Sequence, residues 1–167
     1  MDENAAKRIG EFSFGTDGGG ADKLIVRTGG ARFPFDPSAE EVEDGSGNRR
    51  SVNNVCMAGP DIFNFTLDIV PKTMADVLAK NGIERDDIDL FVFHQANKFM
   101  LDTIRKVNGL PKDRFYIDLE DTGNTVSSTI PIALNRACAN GRIREGAKVM
   151  VMGFGVGLSW GGTILQF

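Results

Sequence analysis

With 167 residues, a net charge of −4 and a pI near 5.0, the chain is long enough for one domain with a full core, and its 41% apolar and 25% charged residues suit a globular protein. The acidic balance argues against a nucleic-acid partner, because such affinity rests on basic surface. Two cysteines and one histidine make neither a disulfide framework nor a Cys/His zinc site, no apolar run approaches the ~18 residues of a membrane helix, and Met1-Asp2-Glu3-Asn4 is acidic where a signal peptide is basic, so the expectation is a cytoplasmic protein with no metal and no membrane partner.

In chain order, Glu11–Gly15 alternates as a strand does, Asp17-Gly18-Gly19-Gly20 turns it, and Lys23–Arg27 reads as its hairpin partner. Residues 28–55 carry Gly, Pro, Ser and an acidic patch (Glu40, Glu41, Glu43, Asp44) with little periodicity, which predicts a long loop. From Asp61, a plausible N-cap, to Asn81, apolar side chains at Ile62, Phe65, Ile69, Thr73 and Val77 keep helical spacing; Gly82 ends the helix, and Pro71 predicts a kink or break near Val70. Ile88–Phe93 has the continuous apolar character of a buried strand. Gln95–Val107 then places Phe99, Met100, Ile104 and Val107 on a helical stripe closed by Gly109 and Pro111.

Arg114–Leu119 repeats the strand signal, Gly123-Asn124-Thr125 turns, and Ser127–Ala139 forms a helix with Pro131 in its first turns. A strand at Lys148–Met152, a glycine turn over 153–157 and a strand at Leu158–Phe167 complete the chain. Strands and helices alternate, which predicts an α/β fold.

His94, the chain's one histidine, falls at a strand-to-helix junction. A histidine there is either a structural cap or, where several such junctions converge, a group able to exchange protons near neutral pH. Asn124 and the glycine turn Gly153–Gly157 follow two further predicted strands, so all three segments fall where an open sheet borders its ligand crevice. A histidine and an amide can both donate to one carbonyl oxygen, and a glycine turn can aim backbone N–H groups at an oxyanion. The constellation points to carbonyl chemistry. Dinucleotide binding is discounted: Gly153, Gly155 and Gly157 do not match G-x-G-x-x-G, with Leu158 at the third glycine's place and a strand following.

His94-Gln95-Ala96-Asn97, Gly123-Asn124-Thr125 and Gly153-Phe154-Gly155-Val156-Gly157-Leu158-Ser159-Trp160-Gly161, in that order and with 30 residues from His94 to Asn124, resemble the C-terminal half of the β-ketoacyl-acyl-carrier-protein synthase III family. The resemblance covers nearly the whole chain. It implies one half of a thiolase-like fold, a mixed sheet covered by helices, whose two similar halves are related by a pseudo-twofold. Within it, residues 1–55 would form the hairpin and long loop, and 56–167 the core with the motifs.

The resemblance also implies a Cys-His-Asn triad whose cysteine belongs to the missing N-terminal half, takes an acyl group from acyl-CoA and is attacked by the enolate of malonyl-acyl carrier protein. His94 and Asn124 would then be catalytic, and Gly155 and Val156 would form the oxyanion turn. Met57, Gly59, Phe63 and Phe154 would line the substrate channel, and Lys98 would meet the acyl carrier protein. No cofactor would be bound, since the CoA thioester and the carrier's phosphopantetheine are substrates. Neither cysteine of this chain is expected to be the nucleophile: Cys138 reads as a small core residue on its helix, and Cys56 precedes the Met-x-Gly stretch Met57-Ala58-Gly59.

Three positions depart from the family pattern. Phe99 stands where a basic residue is common, with the charge one place earlier at Lys98; Val156 interrupts a Gly-Gly-Gly turn; and Pro60 replaces a polar residue near the pantetheine entrance. Two alternatives therefore stand beside the condensing enzyme of fatty acid biosynthesis: a sister condensing enzyme of secondary metabolism with another acyl acceptor, and a non-catalytic partner domain. The cut between halves further predicts a bare apolar face around Ile88–Phe93 and Lys148–Met152, covered by homodimerisation.

Overall fold

A computed structural model describes residues 8–43, 45 and 47–167; the acidic Met1–Asn4 stretch and Asp44 of the acidic patch lie outside the described residues. The centre is a four-stranded mixed sheet in the order β1-β8-β7-β6, built from β1 (Ser13–Thr16), β6 (Leu90–Phe93), β7 (Lys148–Gly155) and β8 (Ser159–Gln166). β6 and β7 run parallel, while β8 is antiparallel to both β7 and β1.

The side chains of β6 alternate between two packed layers. Phe91 and Phe93 join Val70, Met74 and Val77 of α1 (Gly59–Asn81) and Leu101 and Ile104 of α2 (Lys98–Val107). Leu90 and Val92 face the other way, onto Ala133 and Ala137 of α3 (Thr129–Ala139). All four β6 residues are buried, as are Val149, Met150 and Met152 of β7. The expected bare face around these strands is thus corrected: helices cover both sides of β6, which is why its sequence is continuously apolar rather than alternating.

The N-terminal hairpin is also corrected. β1 pairs with β8, and β2 (Leu24–Val26) pairs with β5 (Val55–Met57), so the two predicted hairpin arms lie in different sheets. Between them Gly18–Gly20 forms a single 3-10 turn capped by the Asp17 carboxylate, which accepts from the Gly19 N–H. The long loop holds one small pairing, β3 (Val42–Glu43) with β4 (Arg49–Arg50).

α1 runs past Pro71 as one helix, so of the expected kink or break near Val70 the break does not occur. Its N-cap is Ala58, without a side-chain bond, and Asp61 lies in the first turn. The buried stripe is Ile62, Thr66, Val70, Thr73, Met74 and Val77, rotated from the predicted one at Phe65 and Ile69. Gly82 ends the helix at φ 60, a left-handed conformation that favours glycine. In α2 the core residues are Met100, Leu101 and Ile104, whereas Phe99 and Val107 are 72% and 62% exposed, a second correction to a predicted stripe.

Arg114–Leu119 is not a strand. Only Phe115 bridges β6, in parallel with Phe91, and Tyr116 N–H donates to the Phe91 carbonyl. Beyond that point the side chain of Gln95 takes the place of a neighbouring strand. Its Nε2 donates to the carbonyls of Phe93 and Tyr116, and its Oε1 accepts from Asp118 N–H. The glycine turn is shorter than expected, because Gly153 and Gly155 continue β7 and only residues 156–158 reverse the chain. Cys138 is exposed rather than a core residue, and so is Cys56. Among the described residues no helix is long and apolar enough to cross a membrane, and no group of three or more His, Cys, Asp or Glu is placed to hold a metal.

Candidate active site

His94 directly follows β6, and its backbone N–H extends the parallel ladder by donating to the Met152 carbonyl at 2.8 Å. The ring is thereby aimed from the end of the sheet. Nδ1 lies 2.7 Å from Thr129 Oγ1, the first residue of α3, and the ring meets Phe154 edge-on at 5.6 Å. Burial disfavours the imidazolium and lowers the His94 pKa below its ordinary value.

Asn124 comes from the loop before α3. Gly123, at φ 63, makes the turn that a side chain would resist. Arg136 on α3 clamps the approach to it, with a bidentate pair to Asp121 at 2.7 and 3.0 Å and a contact to Asp118 at 3.2 Å. Asp121 is held below the usual carboxylate range by that guanidinium. The Asn124 Oδ1 accepts from the Val126 N–H at 2.9 Å, so the amide's two N–H donors are the part left for a ligand.

Both residues line one cavity of about 520 Å³. Its walls are mostly apolar. Gly155 and Phe154 come from the end of β7, Met57 and Leu24 from the β2–β5 pair, and Gly59 and Phe63 from the start of α1. The sequence-predicted His94, Asn124, Gly155, Met57, Gly59, Phe63 and Phe154 therefore converge, although they span nearly 100 residues of chain. Val156 does not join them: it sits in the turn between β7 and β8, 63% exposed. Lys98 also stands outside, lining a separate groove with Asp102, Arg105 and Lys112.

Sequence reasoning passed over several lining residues. Phe99, taken for part of a core stripe, stacks on Phe63 at 5.6 Å and an interplanar angle of 24° at the cavity wall. Asn97 also lines the cavity and caps α2, its Oδ1 accepting from Met100 N–H at 2.8 Å. The cap spacing, Asn followed three residues later by the first buried helical residue, was the signal available for it. Nothing in the sequence marks Thr129.

A larger groove, about 750 Å³, lies along β2, β3, β4 and β5 and is lined in part by Cys56. It holds neither His94 nor Asn124. The 520 Å³ cavity is the candidate site because it alone of the two joins a titratable ring, a donor amide and an apolar wall. Cys56 and Cys138 are not among its lining residues.

Residues 78–167 match the family model of the C-terminal part of 3-oxoacyl-[acyl-carrier-protein (ACP)] synthase III. The chain is 37% identical over 153 residues to the beta-ketoacyl-[acyl-carrier-protein] synthase III of Symbiobacterium thermophilum, covering 92% of this chain and 44% of that protein. A crystal structure of a 3-oxoacyl-(acyl-carrier-protein) synthase III superposes with a TM-score of 0.92 at 48% identity, over 96% of this chain and 48% of that one. A 3-oxoacyl-(acyl-carrier protein) synthase of Burkholderia xenovorans gives 0.78 at 38% identity, over 92% of this chain and 43% of that one. The chain thus spans about half the length of the relatives it matches, and the fold is thiolase-like. With residues 78–167 matched by the family model and the fold matched by a solved member, the chain belongs to the 3-oxoacyl-[acyl-carrier-protein] synthase III family, in its C-terminal half.

Proposed function

We propose that the chain supplies the His-Asn half of a decarboxylative Claisen condensing site, as part of a 3-oxoacyl-acyl-carrier-protein synthase III of fatty acid biosynthesis. The observation that carries this reading is the single cavity lined by His94, Asn124 and Gly155 together, with the Asn124 Oδ1 already taken up by the Val126 N–H. In the proposed reaction the carboxylate carbon of a malonyl thioester leaves as CO₂, and the electrons of the broken C–C bond move onto the thioester oxygen as an enolate. Hydrogen bonds from His94 and Asn124 hold that oxygen. The enolate carbon then attacks the carbonyl of an acyl-cysteine; the new C–C bond forms as the C–S bond breaks, and the thiolate returns.

The nucleophile is assigned to an N-terminal half outside this chain. The positions of Cys56 and Cys138, both outside the cavity lining, support that assignment. Residues 1–55 and 56–167 act together as one C-terminal half, the first stretch contributing edge strand β1 and the cavity residue Leu24. The apolar walls at Met57, Phe63 and Phe154 suit the phosphopantetheine arm of an acyl carrier protein and the acyl chain of acyl-CoA, with no bound cofactor. Exposed Lys98 suits the acidic carrier surface, and a cytoplasmic site of action follows from those substrates.

The test uses the full-length parent. His94→Ala and Asn124→Ala should lower malonyl decarboxylation by about a hundredfold or more while acyl transfer from acyl-CoA to the cysteine continues. Equal loss of both half-reactions in folded variants would overturn the reading.

A further inference from the structure

We propose that Thr129 is the positioning residue of His94, holding the imidazole as its Nδ1–H tautomer so that the neutral ring presents an unprotonated Nε2 to the cavity. The proposal rests on the condensing-site reading for its consequence, but its evidence is the geometry around one hydroxyl. Thr129 is 3% exposed, so its Oγ1 cannot turn to bulk water. That oxygen lies 2.8 Å from the Val126 carbonyl and 2.7 Å from His94 Nδ1.

A hydroxyl has one proton to give. The Val126 carbonyl can only accept, and two oxygens 2.8 Å apart with no proton between them would repel. The Thr129 proton is therefore committed to Val126, Oγ1 meets the ring with a lone pair, and Nδ1 must carry the hydrogen of that bond. A neutral imidazole has only one N–H, so Nε2 is bare. Among the described residues Nε2 has no hydrogen-bond partner, while the ring lines the cavity.

Val126 orients both polar groups of the site. Its N–H holds Asn124 Oδ1, and its C=O holds the hydroxyl that sets the His94 tautomer. It does so at φ 57, a left-handed conformation that a β-branched residue rarely adopts. The two catalytic candidates are thus wired to opposite ends of one residue's backbone.

The chemical consequence is a division between the two groups in the resting site. A neutral His94 held this way accepts at Nε2, and it donates to the enolate oxygen only as the imidazolium, after taking up a proton from solvent. In the resting site Asn124 is the group that offers N–H to a carbonyl.

Because His94 is the chain's one histidine, labelling histidine with nitrogen-15 gives a single imidazole spectrum. Long-range proton–nitrogen correlation, at a pH where the ring is neutral, should show a protonated Nδ1 and an unprotonated Nε2. A protonated Nε2 in the unaltered chain would overturn the proposal whatever the enzyme's activity, and loss of the condensing reading would leave this spectrum unchanged. Thr129→Val keeps the shape and removes the hydroxyl; its Nε2 signal should move toward the protonated position, and an unchanged spectrum in a chain folded by circular dichroism would dismiss Thr129 as the cause. Thr129→Ser should restore the original pattern. If the valine variant does not fold, a serine variant with protonated Nε2 would also count against the assignment.

Discussion

The His94 ring is pulled in a defined direction by its surroundings, and pH should reveal it. Burial lowers the folded-state pKa below 6.5, the value the unfolded chain would show. As pH falls through 6.5 the unfolded state takes up a proton that the folded state still refuses, so it binds more protons and stability falls with pH. Above 6.5 this contribution is level; below the lowered folded value the loss is complete. His94→Gln removes the titration. Thermal unfolding between about pH 8 and about pH 5 should therefore cost the unaltered chain more than the Gln variant. Parallel curves for the two would show that the ring titrates freely. His94 and Asn124 were legible in the sequence because each sits in a short motif at a junction between elements. Thr129 was not: it is 35 residues from His94, and only the docking of α3 beside the end of β6 brings hydroxyl and ring together. Cys138 was misread for a related reason, since the position of one small residue on a short helix does not reveal which way that helix faces.

At the scale of elements, pairing partners were the part the sequence hid. Glu11–Gly15 and Lys23–Arg27 are extended as their alternation suggests, but local spacing made them each other's partner, while β8 and β5 offered distant edges. Arg114–Leu119 failed for a different reason. Its backbone groups are satisfied by the amide of Gln95, a polar residue only 1% exposed, which stands where a strand's ladder would continue. This makes Gln95 the joint between the strand that carries His94 and the segment leading to Asn124. Gln95→Leu keeps bulk but strands the Phe93 and Tyr116 carbonyls and the Asp118 N–H. Urea unfolding should register a loss of about 3 kcal/mol, the scale of buried polar groups left without partners. A loss below about 0.5 kcal/mol would show that water or backbone shifts replace the amide and that the joint is not structural.

For the whole molecule, the question is which surface a second body would cover. Sequence reasoning placed an open apolar face at β6 and β7, but α3 lies over Leu90 and Val92. Among the described residues, the open part of that same sheet face is farther along, over β8 and β1. Gly153 of β7 is packed by Ile130 of α3, its paired neighbour Gly161 in β8 stands next to Phe14 of β1, and Phe14 is 79% exposed. Phe12, 52% exposed, and Ile9, 56% exposed and bridged to Leu165, extend the patch along an edge strand. Edge strands with bare apolar side chains invite association, because each exposed phenyl ring loses about 25 cal/mol for every Å² of apolar surface left in water. The chain on its own should therefore self-associate through β1. Light scattering across a concentration series should show mass rising above 18.1 kDa. The double variant Phe12→Ser, Phe14→Ser, both changes on side chains already outside the core, should remain monomeric with its thermal stability little altered. Association that survives the double variant would place the contact elsewhere on the molecule, and a chain that stays monomeric without these changes would show that the open β8–β1 face is stable in water by itself.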